Sequence, residues 1–225
     1  MSATSPNEYP TVAPPPSIIS DSLTNLGLTT DTLYYGLKFK ATSAPLSGLL
    51  NRLRKKQSDM DLDIACALYS EGCDLIDLVW FKALRDKSAA VRHQGDSLNG
   101  KDRGQQALFD GPLNPEQIEI RLNRLPRSVA HIALILTSYH GQSLREVEAG
   151  TVRLSDDEGH HAFSINLTSL PDKCNAMWVA HLRREVDEWH LTVQNLALET
   201  KDMPEISTFI ATELARSLPT VVHFK

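Results

Sequence analysis

Asp61 and Asp63 stand two residues apart in the run Met60-Asp61-Leu62-Asp63-Ile64. In an extended strand, residues i and i+2 share a face, with their side-chain bases about 7 Å apart. Leu62 and Ile64 then point the other way, into a core, while Asp59 lies just upstream on the carboxylate side. Two like charges on one face repel unless a cation sits between them, and oxygen-only ligands of this kind suit a hard cation such as calcium. The same pair also fits an ordinary polar sheet face whose charges are solvated.

A second candidate is the loop His93-Gln94-Gly95-Asp96-Ser97-Leu98-Asn99-Gly100-Lys101-Asp102. Its two glycines flank an Asp, a Ser and an Asn, supplying oxygen side chains and freed carbonyls of the sort calcium uses. The spacing is not that of an EF-hand, and the same residue types build generic turns. His160-His161, beside Asp156, Asp157 and Glu158, is a weaker transition-metal candidate, because adjacent strand residues point to opposite faces. The sequence has no P-loop, GxGxxG, HExxH or GxSxG motif, and His140 with Ser143 makes no recognisable triad. Trp80, Trp178 and Trp189 fit core positions.

These residues need elements to hold them. Leu33, Tyr35, Leu37 and Phe39 alternate through Thr32–Lys40, the period of a half-buried strand. Further strands are predicted at Asp61–Tyr69, Leu75–Phe81, Gln117–Leu122, Thr151–Leu154, Ala162–Leu167, Met177–Arg183 and Glu188–Gln194. Val129–Ser138 reads as a fully buried central strand, and the segment between Arg183 and Glu188 as a hairpin connection. Leu46, Leu49, Leu50 and Leu53 recur at helical spacing, with a basic run at the end of that stretch. Ser143 with Glu146 has a capping-box pattern. Asp202, Pro204 and Glu205 open a terminal helix with an Ile206, Phe209, Ile210 and Leu214 stripe, closed by Pro219. Many strands with few helices predict a mainly β fold: a β-sandwich of two antiparallel sheets, a few short helices and a docked C-terminal helix. The expected organisation is a Pro-rich, disordered tail and linker over 1–31, a sandwich over 32–200, and the helix over 201–225.

The chain has 225 residues, 41% hydrophobic and 23% charged, with net charge −5. That charge offers no basic footprint for nucleic acid or for anionic membrane surfaces. No stretch approaches the roughly 18 apolar residues of a membrane span, and the N-terminal sequence has no secretory-signal pattern. Cys66, Cys73 and Cys174 form no CxxC pair, and an odd count argues for a reduced compartment. A cytoplasmic location without membrane insertion is expected.

In order, these pieces resemble the TerD family of tellurite-resistance and stress-response proteins. Asp61-Leu62-Asp63 resembles that family's DLDAS strand, and Leu75–Phe81 its FIFYN-type strand. His93–Gly100 resembles its H-x-G-D-N-x-x-G loop, Glu116–Leu122 its DDExINVDL segment, and Glu188-Trp189-His190-Leu191 its late E-W-x-F strand. The similarity spans roughly residues 30–200. The resemblance implies a β-sandwich that binds calcium through Asp61, Asp63, Asp96 and Glu116, with Ser97 and Asn99 as loop contributors. There are departures: Ser97 replaces an Asn, Pro115 stands where an Asp is expected, and an insertion around Gln105–Pro112 separates loop from strand. They imply weak calcium binding and a divergent, TerX-like or TerA-like member. The expected role is a non-enzymatic calcium-binding adaptor or sensor, with other Ter-type stress proteins as partners. The alternatives are a metal-free interaction module of the same family and, third, an enzyme acting on nucleotides or stress metabolites.

Overall fold

The computed structural model describes residues 19–40, 60–94, 114–186 and 188–217. The expected helix at 46–53, residues 1–17 of the tail, and Pro219 lie outside them. Eleven strands and one α-helix follow one another along the described residues. The strands are β1 (Ser20–Ser22), β2 (Thr32–Lys40), β3 (Leu62–Tyr69), β4 (Leu75–Val79), β5 (Val91–His93) and β6 (Asn114–Arg121). Then come β7 (His131–Ser138), β8 (Ala149–Asp156), β9 (His161–Asn166), β10 (Ala176–Glu185) and β11 (Glu188–Leu198), and last α1 (Met203–Ser217). One sheet runs β1-β11-β10-β7-β3-β4 and the other β5-β6-β2-β8-β9. All pairings are antiparallel. This is the two-sheet sandwich that the strand count predicted.

The period-2 pattern decides which side chains meet between the sheets. From β2, Leu33, Tyr35, Leu37 and Phe39 face inward; from β3, Leu62, Ile64, Cys66 and Leu68; from β7, Ile132, Leu134 and Leu136. β7 lies between β3 and β10 and is buried at all eight positions, as its unbroken apolar run requires. Its second face, and that of β3, is covered by α1. Ala65, Ala67, Ala133 and Ala176 keep that face low, so Ile206, Ile210, Leu214 and Met203 of the helix reach it beside Ile135 and Trp178. The Tyr69 hydroxyl donates to the Ser207 carbonyl at 3.0 Å and ties sheet to helix. The helix start is capped: Asp202 Oδ1 accepts from Glu205 N at 3.0 Å, and Thr200 Oγ1 donates to the Glu205 carboxylate at 2.6 Å.

Three expectations need correction. A linker is expected through residue 31, but β1 pairs with β11 from Ser20, and Leu23 and Leu28 are in the core. Two large apolar side chains so close to the strand edge gain more from burial than from solvation. The Ser143 capping box does not form: the short 3-10 turn Leu144–Glu146 has no side-chain cap. The outer face of β3 is not a solvated polar face, since every position of the strand is buried. Among the described residues, no helix is long and apolar enough to cross a membrane.

Tyr35 is fully buried, and its hydroxyl has no hydrogen-bond partner among the described residues. Burial, then the nearby Cys66 and Glu116, push its phenol well above the ordinary tyrosine range. Tyr35→Phe removes an unpaired buried hydroxyl and keeps the ring. It should stabilise the domain by about 1 kcal/mol, since leaving such a group unsatisfied costs about 1–3 kcal/mol. The midpoint of thermal unfolding should rise by about 2–4 °C; a fall would mean that the hydroxyl has a partner in solution.

Candidate functional site

β4 is shorter than β3 and pairs only with Cys66, Ala67, Leu68 and Tyr69. β4 therefore leaves the edge of β3 uncovered at Ile64, at the end of the strand where Asp61 and Asp63 sit. A buried backbone N–H without a partner is costly, and a side chain from the other sheet supplies one. Glu116 of β6 reaches across, and its Oε2 accepts from Ile64 N at 3.1 Å. Its Oε1 lies 2.6 Å from His93 Nε2, with the His93 side chain fully buried and that of Glu116 7% exposed. His93 is held by β5, in register with Ile118 of β6. One carboxylate thus joins β3, β5 and β6 at this end of the sandwich.

Asp61 and Asp63 arrive at the same end. The Asp61 carbonyl accepts from Tyr139 N at 2.9 Å, and Asp63 lies opposite Thr137 of β7. Asp63 is only 9% exposed, so its carboxylate is drawn from water rather than solvated on a sheet face. Asp96, Ser97 and Asn99 fall in 95–113, outside the described residues. That segment is anchored on both sides here: Gln94 N donates to the Gln117 carbonyl at 2.8 Å, and Asn114 opens β6. The fold therefore brings Asp61, Asp63 and Glu116 to one end, next to both roots of the loop. It also adds His93, the first residue of the candidate loop in sequence. Its position in a short VRH strand facing an inward Glu was the available signal.

Among the described residues, the group of three possible ligand atoms within 4.8 Å of one another is a different one: Asp156, Glu158 and His160. Its geometry is that of a turn. The buried Asp156 carboxylate accepts from Glu158 N at 3.1 Å, His160 N at 2.8 Å and His160 Nδ1 at 3.0 Å, closing the β8–β9 hairpin. Burial opposes ionisation of Asp156, but the hydrogen bonds and charge of His160 outweigh it and leave the carboxyl below its ordinary range. His161 is exposed at the start of β9 and is not in the group. Trp178 and Trp189 are buried, as core readings require, while Trp80 is half-buried against Phe81. All three cysteines are free and buried. Burial pushes the Cys174 thiol up to about 11, out of the range of a reactive thiolate.

Residues 22–203 match the family model described as the TerD domain. Tellurium resistance protein TerZ from Serratia marcescens is 28% identical over 184 residues, covering 82% of this chain and 89% of the relative. Tellurium resistance protein TerX from the same organism is 26% identical over 158 residues, covering 61% and 70%. Among solved structures, a homologue of telluride resistance protein (TerD) from Streptomyces coelicolor A3(2) superposes with a TM-score of 0.60 at 14% identity. It covers 81% of this chain and 98% of that one, a likeness of fold. Strand order, an inward-facing core, and a domain match over most of the chain agree: this chain belongs to the TerD family of tellurium-resistance and stress-response proteins.

Proposed function

We propose that this TerD-family chain is a calcium-binding, non-enzymatic adaptor or sensor, working with other Ter-type stress proteins in a cytoplasmic or membrane-associated complex. The observation that supports it is the arrival of Asp61, Asp63 and Glu116 at the end of the sandwich where segment 95–113 is rooted. The donor set is all oxygen, which fits a hard cation. Asp61 and Asp63 would hold the ion from β3, with Asp96, Ser97 and Asn99 from the loop. Bound calcium neutralises the repulsion between the carboxylates. Glu116 spends its two oxygens on Ile64 N and His93, so its part is chiefly to hold β3 and β5 in place. With few carboxylates left to the ion, binding in the micromolar to millimolar range follows.

A folded-state site raises stability by linkage, about 2.7 kcal/mol at a ligand concentration of 100 Kd. Thermal scans with chelator and with millimolar calcium should therefore separate for the unaltered chain. For Asp61→Asn with Asp63→Asn they should coincide, with metal-free stability equal or higher because the repulsion is gone. No calcium shift in the unaltered chain sinks the metal reading. The engagement of both Glu116 oxygens favours the second reading in that case, a metal-free interaction module built on the same frame.

A further inference from the structure

β7 runs from His131 to Ser138, and Asp61 lies beside its Ser138 end. At its other end, about 25 Å away for eight residues of strand, the sandwich carries a polar cavity of about 400 Å³. Asp31, Leu122, Asn123, Arg127, Arg184, Val186 and Trp189 line it. They come from four places in the chain: the approach to β2, the turn after β6, the approach to β7 and the β10–β11 hairpin.

Arg184 is fixed there before any ligand comes. Its guanidinium carbon lies 4.8 Å from the centre of the Trp189 ring, and Nη2 donates to the carbonyls of Leu125 at 3.4 Å and Pro126 at 3.5 Å. Its Nε–H is buried without a partner among the described residues. Arg127 shares the cavity. Burial, then the charge of Arg127, hold the Arg184 guanidinium below its ordinary pKa. Of the neighbouring carboxylates, Glu119 and Glu185 are engaged outside the cavity, and Asp31 is part of its lining. Glu119 pairs with Arg121, and Glu185 with Arg183 at 3.5 Å and His190 at 3.6 Å. Asp31 accepts from Asn123 Nδ2 at 3.0 Å. Among the described residues, neither Arg127 nor Arg184 has an ion-pair partner, in a chain whose net charge is −5.

We infer that this cavity is a binding site for a dianionic oxyanion, free or as the phosphoryl group of a small molecule, held between Arg127 and Arg184. Two guanidiniums lining one space repel, and an oxyanion between them relieves that repulsion. The guanidinium fork matches carboxylate and phosphate geometry, and two forks favour a dianion over a single carboxylate. The volume leaves room beyond the anion, where the Asn123 amide and the Asp31 carboxylate can take hydroxyls. The site is separate from the carboxylates at the opposite end and does not depend on calcium. Inorganic phosphate and a sugar phosphate share the required chemistry, and tellurite offers similar oxyanion acceptors with less charge.

The test is a titration of the full chain with chelator present, following the Arg Nε–Hε and Trp indole signals by ¹H–¹⁵N NMR. The probes are inorganic phosphate, ribose 5-phosphate, potassium tellurite and, at matched ionic strength, potassium chloride. Arg184→Lys assigns the Arg184 signal by its loss. At least one oxyanion should shift the Arg184 and Trp189 signals saturably, and the tightest of the three identifies the source. Arg127→Gln alters an exposed side chain and should leave the fold intact. It should weaken binding about tenfold, the loss of one charge-assisted hydrogen bond. The inference is overturned by a flat response to all three oxyanions, by an equal response to chloride, or by undiminished binding in Arg127→Gln.

Discussion

Glu116→Ala should lower the stability of the domain by about 3 kcal/mol, the cost of removing one partner of a buried pair. The alanine leaves Ile64 N without its acceptor on an edge that β4 does not cover, and leaves a fully buried imidazole without its carboxylate. Neither group can reach water without opening the sandwich between β3 and β6. The melting midpoint should fall by about 6–12 °C, at about 2–4 °C per kcal/mol for a domain of this size. Glu116→Gln separates the hydrogen bonds from the charge: it keeps an acceptor for Ile64 N and a group that can meet His93, so it should lose much less. If Glu116→Ala unfolds within about 1 kcal/mol of the unaltered chain, the bridge is not a structural pin. If Glu116→Gln is instead more stable, relief of charge repulsion dominates, and Glu116 belongs with Asp61 and Asp63.

Acid should weaken the domain through a pair of imidazoles before its carboxylates titrate. His131 Nδ1 and His181 Nε2 are 3.0 Å apart on the outer face of the β7–β10 pair, with the rings stacked at 5.1 Å between centres. Burial is the largest reason that both hold their protons weakly, and it takes His181 to about 3. Arg183 adds to the effect at both rings, His131 adds to it at His181, and Glu71 opposes it at His131. The folded pKa of His181 lies below the unfolded value of about 6.5. Its contribution is therefore complete above pH 6.5 and is lost as the pH falls toward 3. At pH 5 the unfolded chain gains the proton and the folded chain does not, which costs about 2 kcal/mol for one imidazole. Urea unfolding at pH 7.5 and pH 5 should show that loss, and His181→Gln should remove most of it. An unchanged pH dependence in His181→Gln would assign the acid sensitivity to other groups.

Much of the frame was legible in the sequence because it rests on local periodicity. Leu33, Tyr35, Leu37 and Phe39 alternate, and β2 spans the predicted Thr32–Lys40. The apolar run ending at Ser138 became the central strand, and Ile206, Ile210 and Leu214 became the helix seam. Ordered short motifs pointed to the family, which the domain match over residues 22–203 shows. Periodicity says which face of an element is apolar, and that is a property of a few neighbouring residues.

What needed the tertiary structure were pairings between residues far apart in the chain. The sequence marked Glu116 as a metal ligand by resemblance, but its hydrogen bond to Ile64 exists because β4 stops short of that position. Ser20–Ser22 read as linker, and became a strand because β11 offers its edge. The burial of Asp63 follows from what covers β3, and the meeting of Arg127 with Arg184 from a hairpin folding onto the approach to β7. A carboxylate or guanidinium looks the same in sequence whether solvated, paired or buried. Its role is decided by the charge, acceptor or void that the fold sets beside it, and such neighbours leave no period along the chain.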